Sequence, residues 1–179
     1  MNTSGTSPLW RRTGVAVACA AALGTTAAVA PAVAGAANNF RGSLHLLLSG
    51  KGAPFADASA KLTLVGHGNA STAVLVVHGV DPAQAGRTFG AHLHSGPCVD
   101  GVGSAAGPHY NHTGQPPTTI SDQTEIWLDF TVDDQGSANA VAHVPFVPTP
   151  GQRSVVIHER ATAANGTAGD RLACLPVEW

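Results

Sequence analysis

The sequence predicts an all-β domain, an antiparallel sandwich or barrel of eight strands, on three observations. Short apolar, β-branched runs recur along the chain, Gly, Pro, Asn and Asp separate them, and no long helical periodicity competes. The first run, 41–48, follows a short linker through Asn38-Asn39. The second and third, 59–66 and 72–79, are bounded by turn residues, and the fourth, 89–95, carries two histidines. In the fifth, 124–132, Ile126, Leu128, Phe130 and Val132 share one face while Trp127, Asp129 and Thr131 share the other, the two-residue period of a strand. Asp133-Asp134-Gln135-Gly136 then makes a tight turn into the sixth run, 137–146, which is a hairpin signal. The seventh and eighth runs are 153–159 and 171–177. Repeated short strands joined by turns point to a sandwich or barrel. Residues 96–123 stand apart as a stretch rich in Gly, Pro, Ser and Thr, and a loop of that length in a compact domain is usually either functional or disordered.

The beginning of the chain reads differently. Arg11 and Arg12 precede a run of Ala, Val, Gly and Thr that closes on Ala32-Val33-Ala34 and Ala34-Gly35-Ala36. A basic region, an apolar stretch and a small-x-small end are the parts of a secretory signal peptide. The expectation is a leader over 1–36 and a mature domain over 37–179. Pro31 and the weak apolarity of Ala and Thr argue against a membrane anchor. The mature protein is therefore expected to be exported, either secreted or associated with the cell envelope, without stable membrane insertion. Of three cysteines, removal of Cys19 leaves Cys98 and Cys174, and an even pair in an exported protein reads as one disulfide. Loss of Arg11 and Arg12 leaves seven Lys and Arg against eleven Asp and Glu, with no basic cluster, so nucleic acid is excluded as a partner.

Nine histidines against one tyrosine and one methionine is a high count, and their placement discriminates among them. His92 and His94 flank Leu93 on the fourth run, so both rings lie on one face about 6.6 Å apart along the backbone and can converge on one metal. His158 lies on another strand, in Val155-Val156-Ile157-His158-Glu159, and His109 sits in the long loop. Imidazole-rich sites suit copper and zinc, and a tetragonal set of four nitrogens favours Cu(II). His45, His67 and His78 have no spaced partner and read as structural or solvated, and His143 is expected to face solvent.

These histidines sit within longer motifs. Gly90-Ala91-His92-Leu93-His94, then Cys98, then Ala106-Gly107-Pro108-His109-Tyr110-Asn111, resemble the metal-binding segment of copper/zinc superoxide dismutases. Arg153-Ser154-Val155-Val156-Ile157-His158-Glu159 resembles the strand bearing that family's last copper ligand, and Gly166 through Cys174 is similar to its C-terminal signature. The motifs occur in the family's order. The resemblance implies an eight-stranded Greek-key β-barrel in which His92, His94, His109 and His158 hold copper. It makes His109 the residue bridging to zinc in two-metal members, Arg171 the cation that attracts superoxide, and Cys98–Cys174 the disulfide tying the active-site loop to the last strand. The implied activity is disproportionation of superoxide to oxygen and hydrogen peroxide, with His109 as proton donor.

The zinc half of the pattern is incomplete. Between His109 and Thr124 only His112 and Asp122 remain as zinc candidates, and Gln123-Thr124-Glu125 runs directly into the fifth strand. Ser95 stands where an acidic residue often follows the His-x-His pair, and only a short segment separates His158 from Arg171. A copper-only variant is the expectation, in which the second nitrogen of His109 needs a water or carboxylate in place of zinc. The rival reading is an exported copper-binding or copper-buffering module with little dismutase activity.

Overall fold

The computed structural model describes residues 1–2, 35 and 37–179, and the leader expected over 1–36 falls almost entirely outside them. The described chain is all-β. One antiparallel sheet has the order β1 (Ala37–Ser43), β3 (Ser59–His67), β4 (Ala70–His78), β8 (Ala138–Val144). A second has the order β2 (His45–Leu46), β10 (Arg171–Glu178), β9 (Gln152–His158), β6 (Ala91–His94). A two-stranded pair joins β5 (Thr88–Phe89) to β7 (Phe130–Thr131). Among the described residues no helix is long and apolar enough to cross a membrane.

Two of the expected strands are split, each for a local reason. The run 41–48 breaks at buried Leu44, whose N–H donates to Ala58 O at 2.9 Å, and the chain passes from the first sheet to the second. The run 89–95 breaks at Gly90, whose N–H donates to Arg160 O and whose carbonyl accepts from His158 N. A β-carbon at Gly90 would lie 2.7 Å from Arg160 O and 2.8 Å from the Ala168 side chain, so only glycine allows this approach. The run 124–132 keeps one register against 88–93, from Thr88↔Thr131 and Phe89↔Phe130 to the bridge His92↔Trp127. Its ladder is interrupted beside Gly90, where the Asp129 carboxylate takes the Ala91 N–H in place of a backbone carbonyl. The alternation read from sequence holds: Ile126, Leu128, Phe130 and Val132 are buried. The turn after them closes with Asp133 Oδ1 accepting from Gln135 N and Ser137 N.

Leu62, Leu64, Leu75 and Val77 of the first sheet join Leu93, Val155, Ile157 and Leu175 of the second in one buried cluster. The first sheet alternates buried and exposed positions, as expected when one face meets solvent. The second does not: Ser154 to His158 and Leu172 to Leu175 are buried without interruption. Its outer face is covered by the loop after β6, where Leu47, Ala106, Val156 and Cys174 form a small second cluster. Cys98 and Cys174 are disulfide-bonded across a sequence separation of 76, which fixes that loop to β10. Closing a loop of this length stabilises the fold by at most about 4.5 kcal/mol. The covered outer face of β6 and β9 is where the histidines converge.

Candidate metal centre

Because β6 pairs with β9, with His92 opposite Val156 and His94 opposite Ser154, the two-residue period places His92, His94 and His158 on the same outer face. Leu93, Val155 and Ile157 point the other way into the core. The covering loop brings in His109, which bridges to His94 through the backbone. The ring centres of His92 and His94 are 6.3 Å apart, close to the sequence expectation, and His109 lies 4.0 Å from His92 and 4.7 Å from His94. One ligand nitrogen from each of His92, His94, His109 and His158 lies within 4.8 Å of the others, and all but His109 are buried.

The hydrogen bonds identify the nitrogens left over. His94 Nδ1–H donates to Gly107 O at 3.0 Å and His158 Nδ1–H to Gly169 O at 3.3 Å. His109 Nδ1–H donates to Glu125 Oε2 at 2.8 Å. His92 is turned round: its Nε2–H donates to Thr162 Oγ1 at 2.6 Å, and that hydroxyl donates to Asp129 Oδ1 at 2.6 Å. Each outer nitrogen carries its proton toward an acceptor, so each inner nitrogen presents a lone pair. His92 Nδ1 is, among the described residues, the buried side-chain nitrogen or oxygen without a partner. The Nε2 atoms of His94 and His158 are 3.2 Å apart, a spacing at which two lone pairs repel unless a cation lies between them. Four imidazoles, one with an orphaned nitrogen and each with its second nitrogen held, fit a metal ion.

Burial holds His92, His94 and His158 in the neutral, ligating form. His158 is lowered to about 4, chiefly by burial, which the Gly169 carbonyl opposes and the neighbouring His109 and Arg171 reinforce. His94 is lowered to about 2 and His92 further, burial again leading and the neighbouring histidines adding to it. These shifts set a direction for acid stability. Unfolded histidines take up protons near pH 6.5, whereas these stay neutral when folded. Stability of the metal-free protein is therefore full above pH 6.5 and is lost as pH falls through the folded value of about 4 for His158. The melting temperature of metal-free protein should drop steadily from pH 7 to pH 4. A flat profile over that range would contradict this account.

Glu125 is 2% exposed and is surrounded by donors: His109 Nδ1 and Trp127 Nε1 both reach Oε2 at 2.8 Å, and Asn111 Nδ2 reaches Oε1 at 3.2 Å. Burial pushes its pKa up, but these hydrogen bonds carry it below the ordinary glutamate value, so it is ionised at neutral pH. Arg171 starts β10, and its guanidinium donates to Gly103 O at 2.7 Å. An open cavity of about 560 Å³ is lined by His109, Glu125, His158, Arg160 and Arg171, so the guanidinium and two of the four histidines face one space.

His112 and Asp122 do not join the group. His112 is exposed, its ring stacked on Phe146 at 4.4 Å, and Asp122 is an exposed turn residue beside Gln123. His78 and His143 pair with Ser137 and Thr72 at the surface. Glu125, Asp129 and Thr162 were not singled out by sequence reasoning. For the first two a signal existed: they share the polar face of the fifth run with Trp127, and all three side chains turn toward the histidines. Thr162 lies in a loop and carries no such signal. No protein-family model matches the chain, and a search of curated proteins likewise finds no match.

Proposed function

We propose that the protein is a copper-dependent superoxide dismutase with one metal ion per chain, on a Greek-key barrel like that of the copper/zinc enzymes. The observation that carries this reading is the convergence of His92 Nδ1 with nitrogens of His94, His109 and His158, beside the Arg171 guanidinium on the same cavity. The four-nitrogen donor set suits copper. Copper bound there would supply the one-electron cycle that oxidises one superoxide to oxygen and reduces the next to hydrogen peroxide. The chain's own residues supply geometry, charge and protons. Arg171 puts a fixed positive charge where an anion enters an acidic protein, with the Gly103 carbonyl orienting it. His109 is partly exposed on the cavity and its Nδ1–H is held by ionised Glu125, which leaves Nε2 as the atom able to carry a proton to the reaction.

A single metal is favoured because Glu125 occupies the nitrogen of His109 that would otherwise face zinc, and His112 is turned onto Phe146. Metal analysis of purified protein with superoxide-dependent turnover tests the reading. One copper, no zinc and rapid turnover are expected. Tight copper without turnover would make this a copper-holding module instead, and no metal would overturn both. Within the dismutase reading, Arg171→Ala should slow the reaction about ten-fold at low ionic strength and flatten its salt dependence. An unchanged rate at low salt would remove Arg171 from the site.

A further inference from the structure

We propose that the outer face of the first sheet carries a second site, where Arg41 and Lys61 grip the phosphate group of a free ion or a lipid headgroup. The two cations are distant in sequence, and the pairing of β1 with β3 sets them directly opposite each other. Like charges facing across a strand pair repel and weaken it. Both side chains are exposed, and among the described residues neither makes a salt bridge. Nothing else on the face relieves the repulsion. The outward positions of β1, β3, β4 and β8 include no Asp or Glu, although the chain has eleven acidic residues. A face without a carboxylate on an acidic protein is a local reversal of its charge, and it calls for an anion from outside.

The geometry fits an oxyanion. An open cavity of about 590 Å³ is lined by Arg41, Ser43, Ser59, Lys61, Val76 and His78. Ser43 is opposite Ser59, and Ser59 is opposite His78, so two hydroxyls and an imidazole form the row beside the two cations. Ser137 Oγ engages His78 Nδ1 at 2.9 Å, which leaves Nε2 as the free nitrogen of that ring. A β-carbon on Gly42 would meet nothing within 4 Å, so the strand between Arg41 and Ser43 is open to a ligand. A guanidinium fork matches two oxygens of a phosphate, and an ammonium adds a point charge for a third. The four histidines converge on the outer face of the other sheet, so the two sites are separate.

Sodium phosphate titrated into the full-length chain at low ionic strength, read by amide proton–nitrogen NMR, tests the site. Amide shifts at Arg41, Ser43, Ser59 and Lys61 should saturate, with a midpoint at about a few millimolar. Sodium chloride at equal ionic strength should leave them nearly unmoved. Arg41→Gln and Lys61→Gln should each raise the midpoint about five-fold or more. Lys61→Glu gives Arg41 a carboxylate across the strands, so it should lose the phosphate response and melt about 1–2 °C above wild type at low salt. Co-sedimentation with phosphatidylcholine vesicles containing phosphatidylglycerol separates the two sources. Pelleting that Arg41→Gln abolishes assigns a lipid headgroup, whereas saturable phosphate binding without pelleting assigns the free ion. Shifts that chloride reproduces would overturn the proposal, as would a Lys61→Glu variant that still responds to phosphate.

Discussion

Replacing His92 with leucine should abolish tight metal binding while leaving the metal-free protein at least as stable as wild type. His92 contributes a fully buried nitrogen, and nothing among the described residues satisfies it. Leaving a buried polar atom unpaired costs about 1–3 kcal/mol. Leucine has similar volume and no polar atom, so the substitution removes that penalty, at the loss of one hydrogen bond to Thr162. The two changes leave a net gain of up to about 1 kcal/mol in the metal-free state. Removing one ligand of four should weaken copper binding roughly a hundred-fold or more. Isothermal titration with copper and thermal melts of the metal-free forms read the two effects separately. The acid-induced loss of stability should also be shallower in His92→Leu, because one of the low-pKa histidines is gone. A variant that keeps tight copper binding would remove His92 from the site. One that loses several kcal/mol without metal would mean the histidine is there for packing.

The difference between such residues and their supports explains how far the sequence could be read. The all-β class was legible because strand periodicity and turn residues act locally, and most of the eight runs appear as strands. The splits at Leu44 and Gly90 were not legible, since each depends on a contact made by a distant residue: Ala58 O for Leu44, Arg160 O for Gly90. The four histidines were legible in two ways. His92 and His94 follow from a two-residue spacing on one strand. His109 and His158 needed the motif resemblance, because no local rule brings a loop and a strand 49 positions apart onto one another. Their hydrogen-bonded supports were mostly illegible. The Gly107 and Gly169 carbonyls have no side chain to notice, and Thr162 meets Asp129 only after the loop beyond β9 folds over the sheet. The sequence did yield the requirement for a water or carboxylate on the second nitrogen of His109. It did not yield Glu125, because that residue reads equally well as the polar start of a strand.

Glu125 is for that reason the most informative second substitution. Glu125→Gln is isosteric but should weaken metal binding about ten- to a hundred-fold and destabilise the protein by about 2 kcal/mol. The carboxylate accepts on both oxygens: His109 and Trp127 on Oε2, Asn111 on Oε1. Glutamine offers one oxygen and one NH2, so in either orientation it faces a donor with a donor. If the amide NH2 faces His109, the ring loses the acceptor that fixes its tautomer, and Nε2 no longer presents its lone pair reliably toward His92 and His94. If it faces Asn111, a buried donor pair strains the isolated bridge Asn111↔Glu125. Both orientations also remove the negative charge that makes His109 a stronger ligand. Trp127 supplies an independent readout: its ring lies 6.1 Å from that of His92, so bound Cu(II) should quench its fluorescence. In Glu125→Gln the quenching should require correspondingly more copper. Glu125→Asp, which keeps the charge but shortens the reach, should retain more affinity than the glutamine variant. Equal copper affinity in wild type and Glu125→Gln would show that His109 binds metal without a charged partner, and the one-metal reading would lose its main support.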